Sequence, residues 1–348
     1  FISCSRESDD HAPPCAPTGS AVVFDMDAVP YDSLSTYNFF EGVLSEFDPV
    51  DGVLPYDVIT PLFTDYAHKS RFIWMPQGIS ANYVSDDQAL DFGNGTVFIK
   101  NFYYDNVEPD NTRRIIETRL MFKRNGIWEF ANYVWNAEQT EAVFDLQGSY
   151  TPVSWTEPTG EQRSAVYRIP STAECLTCHK RDLQPIPIGP KPQNINSIFT
   201  YEDGPMGQME KWVQAGYLNS GYPSNIGTTV RWDDPYSDLQ ERVRSYLDMN
   251  CSHCHADQKH CDYRPIRLAW SESTDPEDLG ICVEPDEIFE PWQTHIVSPG
   301  NIERSMMHFR LSATEENIRM PLLGRTLVHE EAVDLIENWI ESLDQPCN

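Results

Sequence analysis

The chain has 348 residues, 40% of them apolar and 12% aromatic, which suits two or three folded domains and excludes wholesale disorder. Acidic residues outnumber basic ones 54 to 25, for a formal net charge of −29. Such a field repels phosphate backbones and anionic leaflets, so nucleic acid is excluded as a partner, while basic proteins and divalent cations are favoured. No apolar run reaches the roughly 20 residues of a membrane span.

Residues 1–20 are polar and rich in proline, and read as an extended N-terminal arm. The first residues, Phe1-Ile2-Ser3-Cys4, look like the remnant of an export cleavage site, so a periplasmic or extracellular location is expected. Cys4 also resembles a lipoprotein acylation site; true cleavage there would leave it first in the chain, so a lipid anchor is the less favoured reading. Nine cysteines agree with an oxidising compartment.

From 21 to 165 short β-type runs alternate with Gly, Asn and Pro breakers. The runs are 71–75, 96–104, 115–122, 128–135, 141–146 and 163–169, and their even spacing predicts an antiparallel β-sandwich. After Pro170 the pattern changes to short helices in proline-rich loops. Helical spacing is found in Gln208–Leu218, Ser237–Met249 and Glu330–Leu343, with Ser237 as N-cap and Gln240 in capping-box position. The expected class is multidomain α+β: the sandwich, then two mainly α-helical domains over 166–225 and 226–348.

Two pentapeptides carry the chemistry, Cys175-Leu176-Thr177-Cys178-His179 and Cys251-Ser252-His253-Cys254-His255. In Cys-x-x-Cys-His the two thiols add across the vinyl groups of haem, and the following histidine approaches the iron from one face. Random placement of this chain's cysteines and histidines would give about 0.006 such pentapeptides. Zinc is the nearest competitor, but paired Cys-x-x-Cys ligands of zinc ribbons sit closer together in sequence and need no trailing histidine. A redox dithiol needs neither the histidine nor the duplication. Two covalently bound haem c groups are therefore expected, with His179 and His255 as axial ligands.

A second axial ligand is often Met. Met320, in Arg319-Met320-Pro321 ahead of the last helix, is the candidate for the second haem, against ordinary core packing. For the first haem, Met206 in Gly204-Pro205-Met206-Gly207 is favoured; Met209, His68, Met75 and no ligand at all stay open. His253 is read as solvent-facing, and His11, His260, His295, His308 and His329 as surface or packing residues.

Five cysteines remain: Cys4, Cys15, Cys261, Cys282 and Cys347. A Cys261–Cys282 disulfide is the first choice and Cys4–Cys15 the second, which leaves Cys347 over; connectivity is not fixed by sequence. The acidic run Asp105-Asn106-Val107-Glu108-Pro109-Asp110 is a Ca2+ candidate, with plain solvated charge weighed above it.

The chain also resembles a family of exported bacterial dihaem c-type cytochromes, with an N-terminal β domain, two Cys-x-x-Cys-His sites and a C-terminal cytochrome c-like domain. The resemblance covers most of 34–343 and rests on Leu54-Pro55-Tyr56-Asp57, Pro61–Tyr66, Gly95–Lys100, Glu117–Leu120, Tyr133–Asn136 and Val153–Trp155. Both haem motifs, Ile188–Lys191 and Leu323–Glu330 extend it. The resemblance implies electron transfer between redox partner proteins, a quinoprotein dehydrogenase among them. An electron carrier is thus expected ahead of a catalyst. The alternatives are a dihaem peroxidase-like enzyme and a subunit of an extracellular haem-containing polymer or other homo-oligomer.

Overall fold

The structure is a computed structural model and describes residues 20–347. Cys4, Cys15 and almost all of the N-terminal arm lie outside the described residues, so neither the Cys4–Cys15 pairing nor the lipid anchor is addressed.

Eight strands join in one antiparallel sheet: β1 (Leu54–Pro55), β2 (His68–Trp74), β3 (Val97–Val107), β4 (Thr112–Arg124), β5 (Ile127–Trp135), β6 (Ala142–Asp145), β7 (Ser149–Thr156) and β8 (Gln162–Ile169). The order is β8-β7-β3-β4-β5-β6, and β3 also pairs with β2, which pairs with β1. Each run read as a strand is one, and β1 and β7 were missed. The expected sandwich is not formed, because a sandwich needs two sheets and these strands make one.

Loops and helices supply the missing layers. One sheet face, with Val97, Ile99, Leu120, Phe122 and Tyr133, packs under Leu34, Tyr37, Phe39, Phe40 and Phe47 from the N-terminal segment. The opposite face, with Ile73, Phe98, Met121 and Trp128, packs against Met209, Trp212, Leu218 and Met249. Covered on both faces, β3 is buried through Val97-Phe98-Ile99 without alternation, the signature of a doubly covered strand. A register shift between Phe102 and Tyr103 re-aims the strand end, and Phe102 and Tyr104 join a further core with Trp155 and Tyr167.

The helices are short: α1 (Thr172–Cys178), α2 (Pro192–Ile195), α3 (Gln208–Gln214), α4 (Leu239–Asn250), α5 (Met306–Ser312) and α6 (Glu330–Ser342). None exceeds 13 residues, and none is long and apolar enough to cross a membrane among the described residues. The expectation of two mainly helical haem domains is therefore overturned: the chain is chiefly an antiparallel sheet with loop-rich segments and six short helices. Proline is the physical cause between 180 and 225, since Pro185, Pro187, Pro190, Pro192, Pro205 and Pro223 interrupt any longer helix. Trp212 of α3 instead spends its apolar area on the sheet side, its ring 5.6 Å from that of Tyr56. The N-cap of α4 is Asp238, whose carboxylate accepts from Glu241 N–H at 3.1 Å, one residue later than the sequence suggests.

A disulfide joins Cys282 to Cys347, which corrects the expected Cys261–Cys282 pair. The loop that holds Cys282 meets the chain end because α6 buries Leu335, Ile336, Trp339 and Ile340 in one core with Ile296, Val297 and Ile266. Cys261 is buried and has no disulfide partner among the described residues.

Candidate functional site

Both Cys-x-x-Cys-His segments fold as one turn of helix. His179 N–H donates to the Cys175 carbonyl at 2.9 Å, and His255 N–H donates to the Cys251 carbonyl at the same distance. In α1 this turn is held by Glu174, whose carboxylate accepts from the Ser171 backbone N–H at 2.9 Å and hydroxyl at 3.1 Å, the reciprocal half of a capping box. The second motif continues directly from α4.

Each motif opens on a cavity. The first is lined by Cys251, Cys254 and His255, by Met306, Met307 and Met320, and by apolar side chains including Leu247, Ile266, Ile296 and Leu311. The second is lined by Cys175, Cys178 and His179, by Tyr56, Phe98 and Phe130, and by Met121 and Met249. Cys178, Asn250, His253, Pro321 and Leu323 border both cavities, so the two spaces share one wall.

The histidines are poised differently. His179 Nδ1 lies 3.1 Å from the Ile186 carbonyl, which fixes the ring and leaves Nε2 for a ligand, the orientation that metal-bound imidazoles usually have. The edge of Phe130 packs against it at 5.2 Å. Burial pushes His179 down to about 4, so the ring is neutral and able to donate a lone pair at neutral pH. His255 is likewise pushed down to about 4 by burial, and its Nδ1 is buried without a partner.

Met320 lies where the sequence reading needs it, on the wall of the cavity that holds Cys251, Cys254 and His255. Its position is set by Arg325, which is 4% exposed. That guanidinium donates to the carbonyls of Met320, Leu327, Arg310 and Leu311. Asp65 closes the same loop from the sheet side, accepting from Thr326 N–H at 2.6 Å and Leu327 N–H at 2.8 Å. Met206 sits in a two-stranded hairpin opposite Phe199 and lines neither cavity. The methionines on the cavity of the first motif are Met121 and Met249, and nothing in their sequence context marks them.

His253 is buried, not solvent-facing, with 8% of its surface exposed and its Nδ1 unpaired. Its ring nitrogen and the sulfurs of Cys178 and Cys254 lie within 4.8 Å of one another. Thus the second cysteine of each motif meets the other across this histidine. Asp105 of the acidic run is engaged by Arg113 at 2.8 Å, and among the described residues that run gathers no group of three ligating side chains.

His329 caps α6, and its ring stacks on Phe63 at 4.1 Å. Burial, reinforced by Lys69 and Arg325, pushes it down to about 3. Its folded value lies below the unfolded value near 6.5, so the unfolded chain binds the proton first as pH falls. Stability attributable to His329 is therefore full above about pH 6.5 and is lost progressively down to about pH 3, at up to about 1.4 kcal/mol per pH unit. Denaturant melts at pH 4–8 should show His329→Phe, which keeps the stack, with a shallower acid limb than the parent; equal limbs would refute the assignment.

No family model, curated protein or solved structure matches this chain.

Proposed function

We propose that the protein is an exported dihaem c-type cytochrome that passes electrons between redox partners. The observation that carries this reading is the pairing of each Cys-x-x-Cys-His turn with its own largely apolar-walled cavity, the histidine of each on the cavity wall. Haem, when bound, supplies one-electron chemistry at its iron. The chain's part is to hold and insulate. Cys175 and Cys178 anchor one macrocycle and Cys251 and Cys254 the other, while His179 and His255 offer neutral imidazole nitrogens. Met320 faces the second site from a loop that Arg325 and Asp65 make rigid. The shared wall at Cys178, Asn250 and His253 brings the two sites close, which favours electron exchange within one chain. The net charge of −29 steers basic redox proteins toward the surface.

A second reading follows from the cluster of Cys178, His253 and Cys254, a sulfur-and-nitrogen set suited to a tetrahedral zinc ion. The two readings exclude each other at Cys178 and Cys254, because a thioether sulfur has lost the thiolate that zinc requires. Paired variants decide between them. Cys175→Ala/Cys178→Ala and Cys251→Ala/Cys254→Ala should each retain one covalent haem by haem staining and visible absorbance. Colourless parent protein carrying stoichiometric zinc would replace the haem reading.

A further inference from the structure

The sheet carries an unusual row on the face that lines the second cavity. Arg71 of β2, Lys100 of β3, Arg119 of β4 and Asn132 of β5 are direct cross-strand neighbours, one after another, and all four border the cavity that holds Cys175, Cys178 and His179. Three cations side by side on one sheet face repel one another. Two of them have partners: Asp57 pairs with Arg71 at 2.6 Å, and the fully buried Glu117 forks onto Arg119. Lys100 has no carboxylate partner among the described residues; its ammonium lies 5.0 Å from the Phe102 ring centre. Asn132 is 3% exposed, and both its Nδ2 and its Oδ1 are buried without a partner among the described residues.

A surface this short of negative charge is incomplete as it stands. An unpaired cation and an orphaned amide N–H on either side of Arg119 cost free energy unless a ligand acceptor meets them. Burial and the neighbouring Arg71, Lys69 and Arg119 push Lys100 well below the usual lysine value, the direction expected of a cation that lacks its counter-charge. The missing group must be anionic, must reach the sheet through the cavity, and must offer acceptors at two strands with the Arg119 strand between them.

We infer that Lys100 and Asn132, flanked by Arg71 and Arg119, form the seat for the propionate carboxylates of the haem attached at Cys175 and Cys178. The inference rests on the dihaem reading above and adds to it the residues that neutralise one macrocycle. The cavity of the second motif has no such row: its charged lining residues Arg264 and Arg310 are accompanied by Asp286 and Glu287, and Arg264 pairs with both carboxylates at 2.9 Å. The two haems are therefore seated in unlike fields, and only the first depends on the sheet.

A spectroelectrochemical titration of the holoprotein tests this. Removing a positive charge beside the propionates disfavours the reduced state, so Lys100→Gln should lower the midpoint potential of one haem and leave the other where it was. Lys100→Arg, which keeps the charge, should return the shifted potential toward the parent value, and Asn132→Leu should move the same haem. Two haems present with neither potential altered by Lys100→Gln or Asn132→Leu would overturn the seat while leaving the dihaem reading intact. A spectral change on adding a small dicarboxylate such as succinate, abolished by Lys100→Gln, would also overturn it, since the row would then serve a free carboxylate. Protein without haem would fail the underlying reading instead.

Discussion

Arg325→Ala is expected to destabilise the fold by on the order of 4 kcal/mol, the range for breaking a buried polar network. The side chain is 4% exposed, yet it makes no ion pair with a carboxylate among the described residues. Its donors are spread over backbone instead: Nε on Met320 at 3.0 Å, Nη1 on Leu327 at 3.0 Å, and Nη2 on Arg310, Leu311 and Met320 at 3.1, 3.0 and 2.8 Å. Alanine would leave those carbonyls short of donors in an interior that water reaches poorly, each at a cost of about 1–3 kcal/mol. The carbonyls belong to α5 and to the loop of Met320, so the loop should loosen together with the end of the helix. Lysine cannot reproduce the effect, because a single ammonium cannot span acceptors that a planar fork reaches at once. The expected result is a lowered urea midpoint for both Arg325→Ala and Arg325→Lys, with loss of the absorption features of methionine ligation in the haem-loaded protein. An Arg325→Lys variant that melts with the parent would refute the role given to the fork.

Cys347→Ser should cost about 4 kcal/mol by the loop-entropy relation for a closure of this length, since the bond to Cys282 spans 65 residues of sequence. The loop so closed contains α5, Met320 and α6, and α5 and the Met320 segment line the cavity of the second motif through Met306, Met307, Arg310, Leu311 and Met320. Cys282→Ser should match Cys347→Ser within error, and the double variant should cost no more than either single one, because all three remove the same bond. Thermal melts with and without a reductant measure this. A Cys261→Ser variant that behaves like Cys347→Ser would favour the pairing read from sequence and contradict the structure.

The motifs themselves were the legible part of the site. Cys-x-x-Cys-His is local chemistry, complete within five residues, and both copies fold into the helical turn that their spacing implies. Met320 was singled out as a Met-Pro step before an amphipathic helix, and it lines the cavity that holds Cys251, Cys254 and His255. What the sequence hid is long-range. Met121 and Met249 reach the cavity of the first motif from a strand and from a helix end, far apart in sequence and without a local mark. The cationic row is spread over four strands, and nothing in Arg71, Lys100 or Arg119 taken singly distinguishes a cavity wall from a solvated face. His253 looked solvent-facing because it stands between the two cysteines of its motif; instead the sulfur of Cys178 from the other motif lies beside its ring.

The fold shows the same division. Strand positions followed from β-type runs and turn residues, but whether strands form one sheet or two depends on pairing, which no short pattern encodes. Val97-Phe98-Ile99 gives the one clue, since an unbroken apolar run calls for cover on both faces without saying whether a second sheet or a loop supplies it. The helical domains failed for a related reason: haem motifs suggest a helical setting by association, whereas prolines between Pro185 and Pro223 keep the intervening chain in hairpins and loops.

The most direct test is the intact mass of the protein produced in a host competent for cytochrome c maturation, read alongside its visible spectrum. The dihaem reading predicts the mass of the polypeptide plus two haems, with a reduced spectrum of the c type that survives acid–acetone extraction. A mass equal to the polypeptide alone, from a colourless preparation made in a host competent for cytochrome c maturation, would contradict it.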